Sequence, residues 1–494
     1  ELNKKDFDKT VSDNKLDISI KIPQNQIALL YLDQAMKLLK PDAKLCLILP
    51  AGPLLYNDTI EFRKHFFSKF NVNQVIDFTN LSAVLFGKAN VAVAALFVEN
   101  TLPSDDPIIH VTVRRTKASK EKLYFELDHY DFHWVSKEEA LFEKYVWKSN
   151  LLGGGRMYHL VNRLAKLSNL GNFLKKKIKE NDWVVGEGFM RGTEKDERAD
   201  YLTGKKAVLS KNLTKNGCST ETLDVKYFIR KRTKELFSAP LLLIKEIVED
   251  NFIPTALLNF IPTALLNSDT PFDSRIVGIH APAKDRTELK NLNERLNSNM
   301  KTNVFYIIST GSQSLVNFAT AIQKKDIMNL PYPENDNALH LNYTEKILRD
   351  DVLNFQIEYL LKGDSSAANG TAKKDDLIKF GSTFCKAINS IYKQGEKEFL
   401  LSDVYESTSL FVCCFKYFAN QDQEIKFHSS VKTDSLLDSL IQTNTGQALR
   451  ITRVLKIYEN NKIYLIKPKQ IRYWLKSIAL RDVDETLDEI LEKK

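Results

Sequence analysis

The first hundred residues switch between helical and strand spacing of their apolar positions, and they predict one continuous piece of α/β structure. From Gln24 to Lys40 the apolar residues recur every three or four positions, which predicts a helix. The uninterrupted apolar run Leu45–Leu49 is typical of a strand buried on both faces. After a second helix, strands are predicted from Val72 to Phe78 and from Val91 to Val98. This order is the closing half of a doubly wound sheet.

The predicted sheet has one edge without a partner. The run Leu45–Leu49 has the composition of an interior strand, but the residues before it are too few and too polar to supply its neighbours. Folded proteins pair or cover an apolar strand edge, because its free N–H and C=O groups otherwise promote aggregation. We therefore expect the sequence to begin in the middle of a domain, with residues 1–23 as a loop or a disordered arm.

The phrases KLLKP, LCLILP, VIDF and ANVAVAALFVEN, in this order, resemble the second half of the N6-adenine DNA methyltransferases. More specifically they resemble those of type I and type IIG restriction-modification systems. The resemblance implies that residues 1–105 are the C-terminal part of a Rossmann-like methyltransferase domain, with S-adenosylmethionine as cofactor and double-stranded DNA as partner. Neither the family's catalytic Asn-Pro-Pro-aromatic tetrapeptide nor its glycine-rich cofactor loop occurs in the sequence. Both are therefore expected before Glu1, in a missing N-terminal half or in a partner subunit.

The same resemblance assigns a pocket for the target base but no catalytic residue in this chain. A methyltransferase must take adenine out of the base stack, and an aromatic face helps to hold it. The resemblance implies Phe86, with Lys88 beside it, for this role; a loop phenylalanine folded back on the sheet is the alternative. Pro50, Ala51 and Gly52 follow the first strand, at the end where open α/β sheets bind ligands, and are expected to line the pocket.

Residues 106–150 are interpreted as a connector. His129 and His133 have a spacing that can place two metal ligands on one face of a helix. Aromatic residues separate them and no third ligand is near, so packing histidines are favoured over a metal site. Three glycines, Gly153 to Gly155, then precede a helix. They favour a flexible domain boundary, and a phosphate contact at the helix start is the alternative.

The resemblance implies a target-recognition domain of α+β type at residues 151–338. Its side chains would read base edges in the major groove while basic residues hold the phosphates. The residues expected to contact DNA are Arg156, Lys175, Lys176, Lys177, Arg191, Lys324 and Lys325. For the last two, exposed lysines before an X-Pro turn are the alternative. The tandem octapeptide FIPTALLN within this segment is too short for a structural repeat and is given no function.

Residues 339–494 are predicted to form a mostly helical extension, with apolar helical stretches at Phe384–Tyr392 and Leu410–Phe418. A hairpin is predicted around Glu459–Asn461. Basic residues surround Tyr473 and Trp474 near the end of the chain. They would lie along a phosphate backbone or form a solvated basic face, and the sequence does not separate the two.

Composition sets the frame for these assignments. The 494 residues suggest about three domains, and no apolar run approaches the ~20 residues of a membrane helix. The charged first residues contain no signal peptide, and five scattered cysteines without a C-x-x-C pair indicate a reducing cytoplasm. The net charge of +8 permits nucleic-acid binding without demanding it.

Two other functions stay open at this stage. The chain could be a DNA-binding specificity subunit, or a non-catalytic fragment that docks on a separate catalytic chain. An unrelated nucleotide-dependent α/β enzyme is disfavoured because the sequence has no phosphate loop, no G-x-G-x-x-G and no nucleophile motif.

Overall fold

A computed structural model describes the protein at residues 3–18, 20–56, 59–85, 91–115, 125, 127–214, 216–246, 261–311, 314, 322–419, 424–429, 433, 435–436 and 453–492. Elements are numbered in chain order over these residues. Within them, no helix is both long and apolar enough to cross a membrane.

The N-terminal part is a five-stranded mixed sheet flanked by helices. Its elements are α1 (Lys4–Asp13), α2 (Ile27–Leu38), β1 (Lys44–Pro50), α3 (Ile60–Lys69), β2 (Asn71–Asp77), α4 (Ser82–Leu85), β3 (Val93–Glu99), β4 (Ile108–Thr112) and β5 (Phe132–Val135). The strand order is β1-β3-β2-β4-β5. β3 runs antiparallel to both of its neighbours, and β2 is parallel to β4. The helix and the three strands predicted between residues 24 and 99 are confirmed, with ends shifted by one to three residues.

The prediction that Leu45–Leu49 is buried on both faces is wrong. β1 is an edge strand that pairs only with β3 among the described strands, and the side chain of Ile48 is 58% exposed. Alternate residues, Leu45 and Leu47, pack into the core, so only one face of the strand is covered. An apolar run indicates that a segment tends to be buried, but it does not show which elements lie beside the segment and cover it.

The N-terminal arm is also more ordered than predicted. Residues Lys4–Asp13 form a helix in place of the expected loop, because the Asn3 side chain accepts a hydrogen bond from the Asp6 N–H and so caps its first turn. Phe7 then anchors the helix, since it is only 7% exposed and joins the core under the first sheet.

A helical segment joins this sheet to a second α/β part. The connecting helices are α5 (Lys137–Phe142), α6 (Val146–Leu151), α7 (Arg156–Ala165) and α8 (Leu170–Asn181). The main sheet that follows has the order β15-β14-β16-β6, from β6 (Val184–Glu187), β14 (Leu241–Lys245), β15 (Thr263–Leu266) and β16 (Ile276–His280). Short strands project beside it: β7 (Met190–Arg191), β8 (Glu197–Arg198), β9 (Lys206–Ala207), β10 (Leu213–Thr214), β11 (Gly217–Cys218), β12 (Glu221–Thr222) and β13 (Tyr227–Arg230). Three helices close this part: α9 (Arg286–Ser298), α10 (Met300–Thr310) and α11 (Lys324–Met328).

The C-terminal part contains helices and a second five-stranded sheet. The helices are α12 (Tyr343–Asp351), α13 (Ile357–Lys362), α14 (Lys374–Tyr392) and α15 (Lys476–Glu492). The strands are β17 (Lys397–Glu406), β18 (Leu410–Ala419), β19 (Lys426–His428), β20 (Leu455–Glu459) and β21 (Lys462–Pro468), in the order β19-β17-β18-β21-β20. The hairpin predicted around Glu459–Asn461 is confirmed.

The prediction of a mostly helical extension is wrong because Leu410–Phe418 is a strand. Its sequence LFVCCFKYF is rich in aromatic residues, which fit a pleated surface. As β18 it lies in the middle of the sheet, so both of its faces are covered and its apolar residues need not alternate with polar ones. The other predicted helical stretch, Phe384–Tyr392, does lie in a helix, α14.

The buried residues described here form four clusters, and the two largest meet along α6 and α7. The first cluster lies around the N-terminal sheet and extends from Phe7 to Tyr158. The second extends from Tyr130 to Leu487 and combines side chains from both sides of residue 338. The proposed domain limits at 105, 150 and 338 stay a prediction, but the second core is continuous across the last of them.

Candidate functional site

Three of the residues expected at the base pocket, Pro50, Ala51 and Gly52, lie at one end of the N-terminal sheet. Pro50 pairs with Val93 across the β1–β3 ladder, and the Ala51 N–H donates to the carbonyl oxygen of Ala92 at 2.8 Å. Ala51 and Gly52 are buried, and a π-helical turn from Gly52 to Tyr56 follows them. Phe86 and Lys88 lie outside the described residues. Their place at the target base therefore stays a prediction.

A buried polar network lies beside this end of the sheet. Asp77, at the end of β2, accepts a hydrogen bond from the hydroxyl of Tyr56, and its second oxygen accepts the Thr79 N–H at 2.8 Å. His110 Nε2 lies 3.4 Å from the Asp77 carboxylate, while His110 Nδ1 lies 3.1 Å from the Asn150 side-chain nitrogen. These groups satisfy one another, so the network joins β2, β4 and α6. Sequence reasoning missed it, although an aspartate ending an apolar strand was a signal for it.

One face of the N-terminal sheet is incompletely covered. The register places Cys46 and Ile48 of β1 on the same face as Phe97 of β3 and Ile76 of β2. Cys46 and Ile48 are exposed, and Ile76 and Phe97 are only half-buried. We call these four residues the open face. It adjoins the edge of β1, to which no strand in the described part of the chain is paired, whereas the opposite face carries the core residues Leu45, Leu47 and Leu49.

Two of the predicted DNA-binding lysines are free on the surface of α8. Lys175 and Lys176 are exposed. The next lysine, Lys177, forms an ion pair with Glu288 at 2.7 Å and lies 5.9 Å from the ring centre of Trp183. It therefore helps to fix α8 to α9 and is less available to a phosphate.

The other predicted DNA-binding residues are spread over three surfaces. α11 packs against the start of α8, where the Leu170 N–H donates to the Leu330 carbonyl at 2.8 Å, and Lys325 on α11 is exposed while Lys324 is half-buried. Arg191 is exposed on the short strand β7. Arg156 instead makes a two-pronged ion pair with Asp484 of α15, at 2.6 to 3.1 Å.

Neither interpretation of the C-terminal basic residues is correct for Lys467 and Arg472. Lys467 has no exposed surface and forms an ion pair with the equally buried Asp482. Arg472 is 9% exposed and lies 3.3 Å from the Asp128 carboxylate, to which Tyr473 also donates a hydrogen bond at 2.6 Å. Arg472 and Tyr473 thus bind the C-terminal part to the connector, whereas Lys467 pairs within the C-terminal part. The sequence pattern could not show the contacts with Asp128, because that carboxylate is far away in the chain.

His129 and His133 do not share a helical face. His129 lies in a 3-10 turn and forms an ion-pair contact with Glu485 at 3.0 Å, while His133 lies in β5. Burial lowers the pKa of His133 well below its usual range, which keeps the ring neutral. Over the described parts of the chain, no group of three histidines, cysteines or carboxylates is arranged to hold a metal ion.

The glycine run turns back on His133 and forms one wall of a cavity of about 380 Å³. All three glycines have positive φ, and a Cβ atom at Gly154 would lie 2.5 Å from His133 Nδ1. Glycine is therefore required there by both the backbone conformation and the space. The other walls come from β5, the start of α7, the π-helical turn Val352–Gln356 and the outer face of α15.

Comparisons with known proteins gave matches among solved structures only. No family model and no curated protein matches the sequence. The chain is similar, at low identity, to restriction-modification enzymes. It matches the type IIG restriction endonuclease BpuSI with 10% identity over 76% of this chain and 49% of that one, at a TM-score of 0.28. It matches the type IIL enzyme MmeI, solved in complex with DNA, with 9% identity over 72% of this chain and 47% of that one, at a TM-score of 0.38.

A structure of a type I restriction-modification complex matches a shorter part. The identity is 24% over 19% of each chain, and the TM-score is 0.16. This chain therefore spans about half of BpuSI and of MmeI, and less of the type I protein. All three TM-scores are below 0.5, so the function proposed below rests on the residues and geometry of this chain.

Proposed function

We propose that this chain is the DNA-recognising part of a site-specific adenine-N6 DNA methyltransferase of a restriction-modification system. The observation that carries the proposal is the edge of β1 that no described strand pairs with, next to the open face, within the stretch that resembles the second half of these enzymes. A free apolar strand edge is suited to the addition of another strand. We infer that its occupant is the other half of the methyltransferase domain, as a missing N-terminal half or as a partner subunit.

The residues present do not fit S-adenosylmethionine at the end of this sheet. Ala51 and Gly52 are buried, and the polar groups of Asp77 and His110 nearby are already bonded to one another and to their neighbours. The described groups nearby that lack a partner, such as the buried hydroxyl of Thr79, are neutral and provide no counter-charge for the charged ends of the cofactor. The proposal therefore assigns cofactor binding and the catalytic tetrapeptide to the half that docks on β1.

Base binding is proposed for the loop that precedes β3. Leu85 and Val91 flank this loop, and the hydrogen bond between Ala51 and Ala92 brings its far end next to the end of β1. In this proposal Phe86 provides an aromatic face for the extruded adenine and Lys88 lies beside it at the base pocket, while Pro50, Ala51 and Gly52 line the pocket.

DNA recognition is proposed for residues 151–338. The exposed Lys175, Lys176, Lys325 and Arg191 support this role, because each offers a positive charge to solvent. In this proposal they contact phosphates and fix the register of the protein on the duplex. Base edges would be read by side chains of the short-strand region between β6 and β14.

Reconstitution tests the proposal. The chain is mixed with a polypeptide that carries the Asn-Pro-Pro-aromatic half, and methyl transfer from labelled S-adenosylmethionine to adenine in duplex DNA is measured. We expect the mixture to transfer methyl groups and each component alone to be inactive. Ile48→Lys places a charge at the open edge and should abolish the activity of the mixture. Ile391→Lys is the matched control, because Ile391 is 65% exposed on α14 and far from β1.

The outcomes separate the proposal from its main alternative. If the two polypeptides assemble and bind DNA but transfer no methyl group, the chain is a specificity or docking subunit and the enzymatic assignment falls. If the two polypeptides do not assemble, or if the Ile48→Lys variant assembles as well as the Ile391→Lys variant, the edge of β1 is not the docking site.

A further inference from the structure

The cavity behind the glycine run is lined by an amide that is open to it. Gln356 is only 6% exposed and lines the cavity from the π-helical turn. Among the described residues its side-chain amide has no hydrogen-bond partner, and the surface that the residue keeps faces the cavity. An amide carries both a donor and an acceptor. Gln356 is therefore available to a ligand that supplies both an acceptor and a donor.

Two further lining residues have polar atoms that are not satisfied. His133 is 7% exposed and its Nε2 has no hydrogen-bond partner, and the hydroxyl of Ser477 is buried without one. Because burial keeps His133 neutral, its ring can donate or accept a single hydrogen bond without bringing a charge. Together with Gln356, these groups give the cavity neutral hydrogen-bonding groups on several walls.

The charged residues of the cavity are largely neutralised. Arg156 is paired with Asp484, and Arg481 donates to Glu485 at 3.0 Å and to the Tyr130 carbonyl at 2.8 Å. With Asp488 the lining holds three carboxylates against two guanidinium groups. A free anion such as phosphate is therefore disfavoured, and an uncharged ligand fits better.

An aromatic side chain stands at the rim. Trp134 of β5 lines the cavity and is 58% exposed, whereas the other three tryptophans, Trp147, Trp183 and Trp474, are 2% exposed or less. An exposed indole offers a flat face on which a planar ring can stack. A volume of about 380 Å³ is within the range of small-molecule pockets and exceeds the space of a few waters.

We propose that this cavity binds a purine with an adenine-like edge, as a nucleoside or as a base of a single strand. The amide of Gln356 would pair with the adjacent amino donor and ring acceptor of the purine, the pairing by which glutamine recognises adenine. Trp134 would stack on the ring, and His133 and Ser477 would bond its remaining polar atoms. This inference goes beyond the proposed function and does not depend on it, since that function is tested by methyl transfer.

Tryptophan fluorescence provides the test, because Trp134 is the exposed tryptophan. Adenosine is titrated into the chain with excitation at the long-wavelength edge of the indole band. We expect saturable quenching by adenosine, and weaker binding of N6,N6-dimethyladenosine, which lacks the amino donor. Gln356→Leu should weaken adenosine binding about tenfold, the loss expected for one buried hydrogen-bonding group. Gln394→Leu, at an exposed glutamine outside the cavity, is the matched control.

The outcomes decide the proposal and the source of the ligand. Absence of saturable quenching, equal binding of the dimethylated nucleoside, or equal weakening by the two glutamine variants would overturn it. If Gln356→Leu does not fold, the comparison of the two nucleosides on the unmodified chain still decides. A short adenine-containing single strand that binds more tightly than adenosine, while its abasic counterpart does not, identifies a strand base as the ligand. Tighter binding of adenosine identifies a free nucleoside.

Discussion

Two apolar runs of similar composition differ in how far they are buried in this protein. LCLIL, in β1, lies at the edge of the first sheet with Cys46 and Ile48 exposed. LFVCCF, in β18, lies in the centre of the second sheet, where Cys413 has no exposed surface and Cys414 is 1% exposed. An apolar run therefore indicates that burial of the segment is favourable. Whether the segment is buried depends on the elements that lie beside it.

The C-terminal sheet, whose central strand is covered on both faces, is held to the rest of the protein by polar contacts as well as by packing. Lys467 of β21 and Asp482 of α15 form a fully buried ion pair, and Asp482 also accepts a hydrogen bond from Tyr130 of the connector at 2.6 Å. The open sheet has no such contact at its free edge within the described residues. The two regions should therefore respond very differently to substitution.

The largest effect is expected at this buried ion pair. Asp482→Ala leaves the Lys467 ammonium without a counter-charge in the core, which costs about 3–5 kcal/mol of unfolding free energy. Urea unfolding followed by circular dichroism measures the loss. A double variant, Lys467→Met with Asp482→Leu, should recover most of it, because no unpaired charge remains. A loss of less than about 1 kcal/mol in Asp482→Ala would show that the pair does not hold the C-terminal part closed.

Lys148 is a second buried lysine, and no carboxylate of the residues that the structure describes is in direct contact with it. It donates to the Gly311 carbonyl and to the Ser314 hydroxyl at 2.7 Å. Burial lowers its pKa from the ordinary 10.5 to about 7. Between these values the unfolded chain binds more protons than the folded one, so stability rises with pH through this window.

The prediction for Lys148 follows from this rise of stability with pH. Relative to Lys148→Met, the unmodified protein should gain stability from about pH 7 to pH 10, by at most about 1.4 kcal/mol per pH unit. Denaturant unfolding of both proteins at several pH values measures the difference. Parallel stability curves for the two proteins would show that Lys148 keeps its ordinary pKa in the folded state.

A single type of substitution compares the two strands directly. Cys413→Ser places a hydroxyl among buried apolar side chains and should cost about 1–3 kcal/mol. Cys46→Ser at the exposed edge should change stability by less than about 0.5 kcal/mol. The same contrast should appear in thiol labelling, where Cys46 reacts with a maleimide in the native state and Cys413 does not. Assembly with the other methyltransferase half should then protect Cys46, and unchanged labelling would contradict the docking proposal.

The sequence predicted local structure well where one chain segment contains all the information. The helix, turn and strand order from residues 24 to 99 and the hairpin at Glu459–Asn461 depend on spacing and turn residues. The burial of β1 and the strand identity of β18 could not be read in the same way, because both depend on which elements lie beside them.

The candidate sites show the same limit. Arg156 and Lys467 belong to a sequence pattern that is typical of a DNA-binding surface. In the structure they form ion pairs with Asp484 and Asp482, so they are not available to DNA. Gln356, which lies far along the chain from His133 and Trp134, carried no sequence signal for a cavity. The fold leaves Lys175, Lys176, Arg191 and Lys325 of the predicted basic surface exposed, and Lys175 and Lys176 are adjacent on α8.

The last and smallest effect is expected at this pair. Replacing both with alanine removes two phosphate contacts, so the slope of log binding constant against log salt should become less steep by about 1.8. Fluorescence anisotropy with a labelled duplex measures the slope from low to moderate salt. Lys373→Ala with Lys374→Ala is the matched control, because it removes two adjacent exposed lysines at the start of α14. If both double variants change the slope equally, DNA contacts the protein through its general positive charge, and the C-terminal part is then as open to DNA as α8. If only the α8 variant does, DNA contacts the protein at α8 and not at the exposed lysines at the start of α14.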